Sequence, residues 1–91
     1  MSLDEMKLIP ILIRNGVKRA AVFGSFARGD ARSGSDVDIV VESNAKKGLF
    51  DFMGLQIELE EALCRTVGLV TYRSLSPYLI DDVMREQVPI L

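Results

Sequence analysis

Two short clusters carry residue types suited to chemistry. The first is Gly24-Ser25. The second, after ten intervening residues, is Asp36-Val37-Asp38. Ahead of the first runs an apolar segment, Ala20-Ala21-Val22-Phe23, that reads as a strand, and Asp36 opens a second strand, Asp-Val-Asp-Ile-Val-Val. Strand side chains alternate between faces, so Asp36 and Asp38 share one face while Val37, Ile39 and Val41 share the other. Two neighbouring carboxylates repel unless something offsets their charge. A hard divalent cation such as Mg2+ does so, because one or two carboxylates plus substrate phosphates hold it. The Gly-Ser turn supplies the complementary part. Gly24 lets the backbone approach a phosphate closely. Ser25 can cap the helix that follows and donate its hydroxyl to the same anion. Free N–H groups at a helix start favour an anion there. Arg28 and Arg32, spaced i, i+4, would share a helical face and reach phosphate, or else stand as ordinary surface arginines. Together these parts suit nucleoside triphosphate chemistry.

The elements that must position these groups follow from periodicity. Residues 3 to about 15 predict a helix with Leu3, Met6, Ile9, Leu12 and Ile13 on its apolar stripe. Pro10 should kink or split it, and Asn15-Gly16 should stop it. Strands are expected near 18–23 and 36–42, paired as neighbours, with a short helix near 25–29 and an irregular loop over 30–35 between them. Residues 42–48, with Lys46-Lys47, read as an exposed loop. The longest helix is expected over 49–65, with Leu49, Phe52, Met53, Leu55, Leu59 and Leu63 inward and Glu58, Glu60 and Glu61 solvated. Phe50 is expected in the core. Cys64 reads as a small buried apolar residue. A third strand is expected near 67–72. Ser76-Pro77 is an N-cap and N1 pair opening a last helix to Glu86, with Leu79, Ile80, Val83 and Met84 facing the core. Val88-Pro89-Ile90-Leu91 is too short to classify. Tyr72 and Tyr78 are expected to pack in the core or on the surface. The order is αβαβαβα: an α/β (α+β) domain with a three- or four-stranded mixed sheet, read as one domain over residues 1–91.

Composition narrows the function classes. The 91 residues suffice for a single core, with 48% hydrophobic and 26% charged content. A net charge of −2 gives no basis for a nucleic-acid surface. One cysteine permits no internal disulfide and fits a cytoplasmic chain. No apolar run has the roughly 20 residues that a membrane span needs. With no histidine, His-based acid–base and zinc mechanisms are excluded.

The string Phe23-Gly24-Ser25, Ala27-Arg28-Gly29, then Ser35-Asp36-Val37-Asp38-Ile39 resembles the Gly-Ser…Asp-x-Asp signature of the DNA polymerase beta-like nucleotidyltransferase superfamily. It is most similar to the minimal nucleotidyltransferase (MNT, MntA-like) antitoxins, a likeness that extends through Leu49–Leu55 and Leu59–Leu63. The resemblance implies that Asp36 and Asp38 are Mg2+ ligands and the catalytic pair. It implies that Gly24 and Ser25, with Arg28 and Ser35, hold ATP. It implies a HEPN-domain toxin as partner and AMP transfer from ATP to a tyrosine of that toxin; the charge and the short apolar runs, not the resemblance, give the expectation of no direct nucleic-acid or membrane binding. A homodimer or heteromeric complex is compatible with so small a domain.

One departure stands out. The family carries a third carboxylate on the third strand, as base and metal ligand; here Val67-Gly68-Leu69-Val70 places Gly68 there. Asp30, Asp51 or a Glu of the long helix could substitute. Alternatively, the chain neutralises its toxin by binding alone. If a missing ligand is the only defect, Gly68→Asp should raise activity. A small-molecule nucleotidyltransferase of the aminoglycoside-modifying type is a further alternative, but such enzymes add a domain for which 91 residues leave little room.

Overall fold

The computed structural model describes residues 5–29, 36–43 and 49–91. The expectations for Leu3, Asp30, Arg32, Ser35 and the Lys46-Lys47 loop lie outside the described residues, as do those for the side chains of Leu49, Phe50 and Asp51. The elements are α1 (Glu5–Arg14), β1 (Val17–Phe23), α2 (Ser25–Arg28), β2 (Val37–Ser43), α3 (Leu49–Leu63), β3 (Val67–Thr71), α4 (Pro77–Glu86) and β4 (Val88–Pro89). A single 3-10 turn, Tyr72–Ser74, joins β3 to α4.

The strands form one mixed sheet in the order β3-β2-β1-β4. β1 pairs antiparallel with β2, and β2 pairs parallel with β3. The C-terminal segment left unclassified by its length is the antiparallel edge strand β4, set against Ala21 and Val22. Its hydrogen bonding continues past Pro89: the Ile90 N–H donates to Ala20 O at 2.9 Å, and Ala20 N–H donates to Leu91 O at 3.2 Å.

Alternation along the strands builds two apolar layers. Val22, Ile39, Val41, Val67 and Leu69 face α1 and α3, meeting Leu8, Leu12, Leu55 and Leu59 in the main core. Full burial of one such leucine contributes about 1.5–3 kcal/mol. On the opposite face Ala21 and Val40 pack against Val83 of α4. Asp38, two residues before Val40 on β2, lies on this second, more thinly covered face.

Several elements differ from expectation for packing reasons. α1 runs through Pro10 as one helix, with the proline exposed. Its buried residues are Leu8 and Leu12; Met6 and Ile13 point to solvent. Gly16 ends it in the left-handed conformation, φ 76°, with its N–H donating to Ile13 O at 3.0 Å. α3 buries Leu55 and Leu59, with Phe52 and Leu63 packed beside them, but exposes Met53. It stops at Leu63, two residues early. Cys64, the residue expected inside, is exposed and holds φ 53°, the left-handed turn that closes a helix at about 1–2 kcal/mol for a non-glycine residue. α4 begins at Pro77, but Ser76 caps it through its backbone: Leu79 and Ile80 N–H both donate to Ser76 O at 3.0 Å, and the Ser76 side chain makes no cap bond. Of the four residues expected inward from α4, only Val83 is buried. Leu79 and Met84 are exposed and Ile80 is half-buried, because one small patch of sheet is all that α4 covers.

Candidate active site

β1 delivers the chain to Gly24 at the rim of the sheet. Gly24 takes φ 74° and ψ −149°, a region that side-chain-bearing residues essentially never hold. The turn is therefore written into its missing Cβ. α2 follows as one turn, and Arg28 N–H donates to Gly24 O at 3.0 Å. Gly29, at φ 80°, closes it. Ser25 is thus the first helical residue, and the cap position expected of it belongs to Gly24, with no side-chain cap bond. So short a helix carries little macrodipole, so the N–H groups of the turn themselves are what an anion would meet. Phe26 anchors α2 in the main core, and the Arg65 guanidinium lies 5.0 Å from its ring centroid.

The register brings the second cluster to this turn. Asp38 of β2 stands opposite Phe23 of β1 and beside Gly68 of β3. Its carboxylate rests between two glycines. A Cβ built on Gly24 would fall 2.4 Å from Asp38 Oδ2, and one on Gly68 would fall 2.8 Å from Asp38 Oδ1. Asp36, just ahead of β2, is exposed. The Asp38 carboxyl is raised above its ordinary 3.8, first by burial and then by the Asp36 charge, while the Arg28 guanidinium opposes the shift. A half-buried carboxylate pressed by a second one is a site that gains from a cation.

The structure therefore brings Gly24, Ser25, Arg28, Asp36 and Asp38 to one corner of the sheet. Arg28 also reaches α4, with Nη1 3.4 Å from Glu86 Oε2. Among the described residues, no group of three acidic, cysteine or histidine side chains converges to hold a metal. Two hard carboxylates fit Mg2+ whose shell is completed by substrate phosphates and water. Gly68 lies directly against Asp38.

Four contributors escaped the sequence reading. Glu86 lies 58 residues from Arg28, and no local pattern links them. Arg65 carries no motif; only the turn at Cys64 sets it beside Phe26. Gln56 and Glu60 do share a face by their i, i+4 spacing, but their target emerges only in three dimensions. Gln56 Nε2 donates to Val67 O and Val67 N–H donates to Glu60 Oε2, each at 2.9 Å. The pair clamps the first residue of β3, the one before Gly68. Glu58, also expected to be solvated, pairs with Arg14 and accepts from Asn15, tying α3 to α1.

This fold and this corner are those of a nucleotidyltransferase domain. Residues 5–90 match the family model for the nucleotidyltransferase domain, and the chain belongs to that family. More particularly, it is 45% identical to a Methanocaldococcus jannaschii protein named "Putative protein adenylyltransferase MJ0435", an alignment spanning all of both chains. Among solved structures it resembles a toxin-antitoxin crystal structure with AMP-PNP, at a TM-score of 0.86 and 30% identity over 98% of this chain and 73% of that one. It also resembles the Shewanella oneidensis complex of an MNT antitoxin with a tri-AMPylated HEPN toxin, at a TM-score of 0.74 and 27% identity over 96% of this chain and 68% of that one. These likenesses bear out the family expected from the Gly-Ser…Asp-x-Asp string, and the expected three- or four-stranded mixed sheet has four strands. Among the described residues no helix is long and apolar enough to cross a membrane.

Proposed function

We propose that this chain is the antitoxin of an MNT/HEPN toxin-antitoxin pair and transfers AMP from ATP to a tyrosine of its partner toxin. The observation that carries the reading is the junction of the Gly24 turn with Asp36 and Asp38, in a family whose relatives include a complex with an AMPylated toxin. In the reaction the tyrosine oxygen bonds to the α-phosphorus of ATP, the bond from that phosphorus to the bridging oxygen breaks, and pyrophosphate leaves. The tyrosine proton passes to solvent or to a base. Asp36 and Asp38 would hold Mg2+, which supplies charge neutralisation of the triphosphate and orients it. Gly24 admits the phosphates close to the backbone, Ser25 and Ser35 offer hydroxyls, and Arg28 adds a positive charge beside Asp38. Positioning and charge stabilisation dominate phosphoryl transfer, so loss of a base at position 68 need not abolish it, whereas loss of a metal ligand there is the more serious defect. The whole of residues 1–91 is read as one such domain, acting in the cytoplasm.

Gly68 favours a second reading, in which the domain neutralises the toxin by binding alone. Intact mass spectrometry of the toxin, co-expressed and co-purified with this chain, separates the two. Added AMP, lost with the double variant Asp36→Asn, Asp38→Asn, is the expected result. A tight complex with an unmodified toxin would establish the binding antitoxin instead.

A further inference from the structure

β2 and β3 run side by side in parallel, with Asp38 level with Gly68. Real Cβ atoms essentially never come within 3.0 Å of another heavy atom, yet the Cβ positions of Gly24 and Gly68 lie 2.4 and 2.8 Å from the two oxygens of Asp38. One carboxylate therefore fills the space that a side chain at either glycine would need. At Gly68 the contact falls on the tip of Asp38 alone; Asp38 Cγ is 3.9 Å away and the nearest backbone atom, Val37 O, is 4.0 Å away. Gly68 also lacks the left-handed φ of Gly24. The backbone of β3 thus accepts a side chain at 68, and Asp38 is what must move.

We propose that Gly68 is a positioning residue for Asp38: the missing side chain at 68 lets the Asp38 carboxylate lie across the floor of the site between β3 and the Gly24 turn. Gly68 is then more than a lost ligand, because the place of a third carboxylate has become room for the second. Oδ2 already occupies the space over Gly24, so a methyl group at 68 turns the carboxylate out of the groove. The proposal rests on the reading that Asp36 and Asp38 hold a divalent cation for nucleotide binding.

The test compares the wild-type chain with Gly68→Ala, which adds a stem but no carboxylate. Calorimetric titration with Mn2+ and AMP-PNP is expected to show an affinity about 10–100-fold weaker in the variant, the usual penalty for disturbing a ligand's support. The thermal transition is expected to stay within a few degrees of wild type, about half a kcal/mol at most. Equal affinities in the two chains would overturn the proposal. So would a variant that fails to fold, since the clash would then lie with the backbone. If neither chain binds the probe, the metal reading of the site fails, and the positioning claim is judged separately on the free proteins. Side-chain couplings at Asp38 in NMR spectra are then expected to report a changed χ1 rotamer in Gly68→Ala; an unchanged rotamer would overturn it.

Discussion

Gly24 stands against Asp38 so closely that a Cβ on the glycine would lie 2.4 Å from Asp38 Oδ2. Gly24 also holds φ 74°, so a side chain there meets two obstacles, one in the backbone and one in the site. Gly24→Ala is expected to cost about 1–3 kcal/mol, lowering Tm by at least about 4 °C for a domain of this size. AMP transfer to the toxin is expected to fall with it. A thermal scan and the mass of the co-purified toxin check both.

Asp38 is expected to trade stability for function. Its folded-state carboxyl titrates above 3.8, chiefly through burial, so its ionised form weakens the fold. That penalty is complete above the raised folded value, shrinks as pH falls through it, and is gone below 3.8. Asp38→Asn removes the charge at nearly constant shape. The variant is expected to melt higher than wild type at neutral pH in the absence of divalent ions, by less than about 1 kcal/mol because solvent screens a half-buried group. The gain is expected to vanish towards pH 3. AMP transfer is expected to be lost at every pH. Melting curves from pH 3 to 8 with EDTA check the sign.

Arg28 links the site to the end of α4. Its charge favours the ionised form of Asp38, and its Nη1 lies 3.4 Å from Glu86 Oε2. Arg28→Ala is expected to raise the KM for ATP about tenfold, the equivalent of one charge-assisted hydrogen bond of about 1.5 kcal/mol. Glu86→Gln breaks only an exposed pair, and its stability is expected to stay within about 0.5 kcal/mol of wild type. Steady-state kinetics of the two variants separate a phosphate contact from a surface ion pair.

The clamp on Val67 predicts an effect transmitted from α3. Val67 N–H gives its hydrogen bond to Glu60 Oε2 at 2.9 Å. Glu60→Ala leaves this partly buried donor without that acceptor and is expected to cost about 1–2 kcal/mol. Glu60→Gln keeps an acceptor oxygen and is expected to restore most of the loss. Because Val67 precedes Gly68, Glu60→Ala is also expected to lower Mn2+·AMP-PNP affinity, which Glu60→Gln should recover. Chemical denaturation and calorimetry check the pair.

The local chemistry of this chain was legible in its residues. Alternation put Asp36 and Asp38 on one strand face, because successive strand side chains point to opposite sides. The spacing to Gly24-Ser25 put a turn ahead of them, and the apolar runs of β1 and β2 predicted the strands that carry them. Those signals are short-range and survive in any fold. What lay beyond them was decided by the tertiary structure, because it depends on which elements meet. The register Asp38–Gly68 turns a departure from a motif into a steric relationship between two strands. Pairing with β1 makes a strand of Val88-Pro89, a segment with no pattern of its own. Leu79 and Met84 each stand four residues from a partner on α4, Val83 and Ile80, yet stay exposed, since periodicity marks an apolar stripe but cannot say how much sheet lies beneath it. Arg28–Glu86 and Glu60–Val67 join residues that are distant in sequence or on different elements, and only the packed chain brings such groups within hydrogen-bonding range.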